Sequence, residues 1–133
     1  PQMFVPTGDS TLTNDEVLPG LNWVYSWELT DCWSIAGSTQ GNRVIDDSGH
    51  AYLEIAQSAT TSVSITERLG AYSEWFAFFP HSANDPAAKP QHFFNGGFTY
   101  LITNNLQYDI EAGVGLNEAA DDYFVATGLA VRF

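Results

Sequence analysis

The chain has 133 residues, 44% of them hydrophobic and 14% aromatic, with 16 acidic side chains against 4 Lys and Arg, a formal net charge of -12. Its basic residues, Arg43, Arg68, Lys89 and Arg132, are scattered, which argues against nucleic acid as a partner because phosphate binding needs clustered cations. The length suits a single domain over 1–133, the lone Cys32 excludes an intrachain disulfide, and no run reaches the roughly 18 apolar residues of a spanning helix.

In chain order the sequence is a succession of alternating segments with hardly any helical periodicity. The opening PQMFVPTGDS reads as the end of a strand (3–7) entering a loop, so the expectation is a fragment or processed chain whose upstream part lies outside it. Next, VLPGLNWVYSWEL sets Val17, Leu21, Trp23, Tyr25, Trp27 and Leu29 on one face. Gly20, Asn22, Ser26 and Glu28 take the other, with Leu18 and Val24 as apolar exceptions. Strands are expected over 33–42, 52–65, 69–79 and 93–102. LQYDIEAGVGLN alternates most cleanly, with Leu106, Tyr108, Ile110, Ala112, Val114 and Leu116 against Gln107, Asp109, Glu111, Gly113, Gly115 and Asn117. The last segment opposes Tyr123, Val125, Thr127, Leu129, Val131 and Phe133 to Phe124, Ala126, Gly128, Ala130 and Arg132.

A spacing regularity orders these strands. ELTDCW, SITERL and LITNNL place Thr30, Thr66 and Thr103 at intervals of 36 and 37 residues, each in a short polar turn. Two strands and one longer connection make a hairpin repeat. The opposite connections, GDSTLTNDE, VIDDSGH, PHSANDPAAKPQ and NEAADD, are longer and rich in turn formers. The expected fold is therefore all-β, an antiparallel up-and-down meander of about seven strands and an N-terminal strand stub. Short turns at one end and long loops at the other match an outer-membrane barrel, with turns periplasmic and loops extracellular.

A soluble sandwich or lipid-binding barrel would also alternate, so the question is which solvent meets the apolar face. Of the 16 acids, five (Glu28, Glu54, Glu74, Asp109 and Glu111) fall on the polar face and none on the apolar one. The polar face has no lysine and is rich in Gly, Ala, Ser, Asn and Gln, whereas soluble sheet exteriors carry both signs of charge. Trp27, Trp33, Tyr100, Tyr108, Tyr123 and Phe133 sit toward strand ends on the apolar face, where interfacial girdles belong. These features point to lipid.

ERLGAYSEWFAFFP, the stretch from FFNGGFTY to the final VATGLAVRF, and the upstream FVPTGDS resemble the C-terminal part of an outer-membrane, transporter-like barrel family, the Putative MetA-pathway of phenol degradation. The likeness covers nearly the whole chain and is weak around 44–50. It implies an outer-membrane barrel larger than this chain, whose N-terminal strands and signal peptide lie outside it, passing small compounds, aromatic ones by the family's name, with outer-membrane lipid and a small-molecule solute as partners. Phe133 with Val131 and Leu129 at alternating positions resembles the signal read by the barrel-assembly machinery.

The five polar-face acids, with Arg132 as the one basic residue in reach, are the candidate solute path, attracting cations and repelling anions. Strands outside the chain could instead supply arginines that pair them structurally. The acidic loops lack calcium-loop spacing, and His50, His81 and His92 form no close pair, so no metal or cofactor is assigned. His81 beside Ser82, with Glu74 on the preceding strand, does not make a nucleophile and base, since neighbours on an extended strand diverge. No catalytic residue is assigned, and the expected function is passage of small molecules across the outer membrane. The alternatives are a surface or adhesin-like barrel acting through its loops, or a soluble lipid-binding barrel.

Overall fold

The structure, a computed structural model, describes residues 1–7, 16–46, 48–81 and 88–133. It contains eight strands: β1 (Gln2–Phe4), β2 (Leu18–Glu28), β3 (Trp33–Ile45), β4 (Ala51–Ser64), β5 (Leu69–His81), β6 (Gln91–Thr103), β7 (Leu106–Gly115) and β8 (Tyr123–Val131). Each pairs antiparallel with its sequence neighbour in one sheet of order β1-β2-β3-β4-β5-β6-β7-β8, the meander expected from the alternation. Among the described residues β1 and β8 do not pair with each other.

The threonine repeat has a local cause. Thr30 Oγ1 accepts from Trp33 N (3.1 Å), Thr66 Oγ1 from Arg68 N and Leu69 N (3.2 and 3.0 Å), and Thr103 Oγ1 from Asn105 N (3.2 Å). Each hydroxyl satisfies amides that a tight turn leaves without a ladder partner.

At the other end the β3–β4 connection is shorter than VIDDSGH implies. Val44 and Ile45 continue the ladder against Tyr52 and Ala51, and the Asp46 carboxylate accepts from Ser48 N and His50 N, both at 2.9 Å. Gly49 at φ 81° completes that turn, a backbone region costly for side chains with a Cβ. The expected loops over 8–15 and 82–87, with Asp9, Asp15, Ser82 and Asp85, and the acid Asp47, lie outside the described residues.

The sheet curls so that one face is concave. The Tyr72 hydroxyl on β5 donates to Glu111 on β7 at 2.7 Å, passing over Gly97 on β6, where an added Cβ would lie 2.9 Å from Tyr72 Oη. Likewise Gln2 on β1 donates to Asn42 on β3 at 2.7 Å, passing over Gly20. Glycine on the intervening strand is what lets side chains two strands apart meet.

The core is thin. Leu18, Ala56, Ala77 and Phe93 are the buried hydrophobic residues, and no large side chain is fully buried among the described residues. Most of the exposed large apolar side chains stand instead on the convex face: Tyr123 is 77% exposed, Trp23 72% and Val125 69%.

Candidate functional site

Strand pairing puts the five expected acids on one face, and it is the concave one. Glu28 stands opposite Ser34, Glu54 opposite Pro80, Glu74 opposite Asn95, Asp109 opposite Thr99 and Glu111 opposite Gly97. They are spread along the trough rather than gathered. Glu28 lines a cavity of about 440 Å³ at the turn end with Tyr72 and Thr99. Asp109 lies against Gly128, and Glu54 sits near the loop end of β4.

Glu74 and Glu111 come together in a second cavity, of about 370 Å³, lined also by Ser58, Phe76, Asn95 and Phe124. Glu74 accepts from Thr60 Oγ1 at 3.0 Å and from Asn95 Nδ2 at 3.4 Å, and Glu111 accepts from Tyr72. These donors are neutral. Arg132, which alternation places on this face, lies at the turn-side rim and donates to the Asn104 carbonyl at 3.4 Å. The Arg43–Glu16 ion pair at 2.7 Å and the His50–Asp46 contact at 3.7 Å both lie away from this cavity.

Beside the carboxylates stands an aromatic cluster that sequence reasoning missed. Phe76 stacks on Phe93 with ring centroids 4.8 Å apart, and both meet Phe124 edge-on at 6.1 and 6.2 Å. Phe78 closes the group against Phe76 at 5.8 Å. Strand parity carried through SEWFAFFP would have put Phe76 and Phe78 on the face of Glu74.

The Tyr72–Glu111 bond is testable by itself. Tyr72→Phe removes the donor while keeping the ring, and should cost about 1 kcal/mol, rising toward 3 if no water replaces the hydroxyl. Urea unfolding in phospholipid vesicles would measure it.

The convex face carries the expected interfacial aromatics: Trp27 and Trp33 near the turn end, Tyr100 directly opposite Tyr108, and Tyr123 at the loop end of β8. Leu129 and Val131 follow on the same face of β8, with Phe133 exposed just beyond it. Several polar side chains that interrupt this face satisfy one another. Thr39 donates to Gln57 Oε1 at 2.7 Å, Gln57 Nε2 donates to the Tyr25 hydroxyl at 2.6 Å, and Trp33 Nε1 donates to Thr61 Oγ1 at 2.6 Å.

His92 lies between Trp75, tilted at 5.8 Å, and Phe79, edge-on at 5.4 Å. No group of three or more His, Cys, Asp or Glu side chains is arranged to hold a metal among the described residues.

Comparison with known proteins adds two findings. The family model described as Putative MetA-pathway of phenol degradation matches residues 1–133. Among solved structures, the outer membrane protein Ail of Yersinia pestis, determined in a phospholipid bilayer nanodisc, aligns over 98% of this chain and 94% of its own with a TM-score of 0.52. At 15% identity that likeness concerns the fold. No curated protein matches the chain.

Proposed function

The chain belongs to the family described as Putative MetA-pathway of phenol degradation, and on that premise we propose that it is a non-enzymatic β-barrel of the bacterial outer membrane passing small molecules along its concave face. The observation that carries the proposal is the inversion of exposure. On β7 the apolar Tyr108, Ile110 and Val114 are exposed while Gln107, Asp109 and Glu111 are partly shielded. A water-soluble sheet places these sets the other way round. From Tyr123 to Val131, β8 covers nine residues; at about 3.3 Å per residue and a tilt near 40°, the apolar band stands roughly 20 Å tall, close to that of outer-membrane barrels.

β1 pairs only with residues 18–20 of β2, so the rest of that edge and β8 need partners in hydrocarbon, where each unpaired backbone group costs several kcal/mol. Pairing of the two edges, directly or through further strands, closes the barrel. In this reading the short turns face the periplasm, the longer connections face outside, and β8 with Leu129, Val131 and Phe133 is the segment met by the barrel-assembly machinery.

Uncompensated carboxylates along the trough favour cations. Full-length protein in planar bilayers should conduct, with K⁺ preferred over Cl⁻, and Glu111→Gln should reduce the preference. The Phe76, Phe93 and Phe124 cluster supports a second reading. Side chains alone fill the interior of a barrel closed at about eight strands, and such a barrel acts through its loops. Folded, inserted protein with no conductance would favour that second reading.

A further inference from the structure

We propose that the cavity between β4 and β8 is a binding subsite for small organic ammonium compounds with a flat apolar or aromatic body. The proposal rests on the reading of the concave face as open to solutes and names the class of solute it takes. Three kinds of group converge on this cavity: the carboxylates of Glu74 and Glu111, the amide of Asn95, and the rings of Phe76 and Phe124, with Phe93 stacked behind.

The polar groups are biased toward accepting. A carboxylate offers about four acceptor positions, and the bonds from Thr60, Asn95 and Tyr72 occupy only part of that capacity. Asn95 is the sharper sign. The residue is 3% exposed, its Nδ2 is turned to Glu74, and its Oδ1 has no hydrogen-bond partner among the described residues. Asn22 Oδ1 shares this state among the described residues; a buried acceptor of this kind is satisfied by a donor from outside the chain, water or ligand. Gly113 makes the room, since an added Cβ there would collide with the Phe124 ring and Asn95.

The rings decide between classes of cation. Hard metal ions take six or more oxygen ligands and keep their waters, which a wall of phenylalanines does not supply. An alkylammonium group brings up to three N–H donors for Glu74, Glu111 and Asn95, and its body lies against ring faces that attract positive charge. An anion of the same shape meets two carboxylates and is repelled.

The test is equilibrium titration of the full chain in phospholipid nanodiscs with benzylamine, benzyl alcohol and benzoate. Benzylamine should bind at least tenfold more tightly than either of the others. Glu74→Gln and Glu111→Gln should each weaken it at least fivefold, as should Phe76→Leu, with heat-modifiable migration unchanged as the check of folding. Equal affinity for the three compounds, no binding of benzylamine, or an unaltered affinity in folded Glu74→Gln and Glu111→Gln protein would each overturn the proposal. Binding needs no conductance, so a protein that binds benzylamine without conducting keeps this site and loses the transport function. One that conducts without binding it loses the site alone.

Discussion

Arginine at position 110 should destabilise the inserted protein by about 2–4 kcal/mol, whereas arginine at position 126 should cost far less. Ile110 stands in the middle of the convex face of β7, between Phe98 and Thr127 and 46% exposed. If hydrocarbon covers that face, a guanidinium there must thin the bilayer or snorkel a long way. Ala126 is also exposed but lies on the concave face, opposite Glu111, where a cation gains a carboxylate neighbour. The contrast separates the two solvents cleanly. In a water-soluble sheet the exposed Ile110→Arg change is nearly neutral, because surface substitutions usually stay within about 0.5 kcal/mol. Unfolding by urea from phospholipid vesicles measures both variants on one scale, and equal stabilities would place water on both faces.

Gly97→Ala should cost about 1–3 kcal/mol, the usual penalty for overpacking, although alanine is otherwise the better strand residue. The added methyl would collide with the Ile110 carbonyl oxygen and lie 3.0 Å from Glu111 Cβ. Backbone cannot give way as a flexible side chain does, so the sheet itself must shift. That shift also parts Tyr72 from Glu111, whose bond passes over this glycine. Gly41→Ala is the control: its nearest contact would be Ile55 Cδ1 at 3.8 Å, ordinary van der Waals packing, and its stability should change by less than about 0.5 kcal/mol. Equal losses at the two sites would mean that strand propensity, not the curl of the sheet, sets the requirement.

Strand positions and their order were legible because period-two alternation survives wherever one face is consistently apolar. LQYDIEAGVGLN marked the start of β7, which runs Leu106–Gly115 and stops two residues before the alternation does, and the side on which Asp109 and Glu111 lie. The turn threonines were visible as a repeat, although only the geometry shows their hydroxyls satisfying turn amides. Two features resisted. In SEWFAFFP aromatics occupy both faces, so Trp75 and Phe79 go to the convex side and Phe76 and Phe78 to the concave one. Convergence of Phe76 and Phe93 with Phe124 depends on register across four strands and on the curl. The run VIDDSGH looked like a loop because its turn formers are conspicuous. Val44 and Ile45 nevertheless stay in the ladder, since Asp46 closes the turn within a few residues.

The most direct test of a lipid-facing convex surface is a cysteine scan along β7. Cys32 is replaced by serine, and an environment-sensitive fluorophore is attached in turn at positions 106 to 111 of the protein in phospholipid vesicles. Labels at Leu106, Tyr108 and Ile110 should be quenched by a lipid-phase quencher, and those at Gln107, Asp109 and Glu111 by a water-soluble one, alternating residue by residue. Lipid quenching at the Asp109 and Glu111 positions, or no lipid quenching at any position, would contradict a convex face buried in the bilayer.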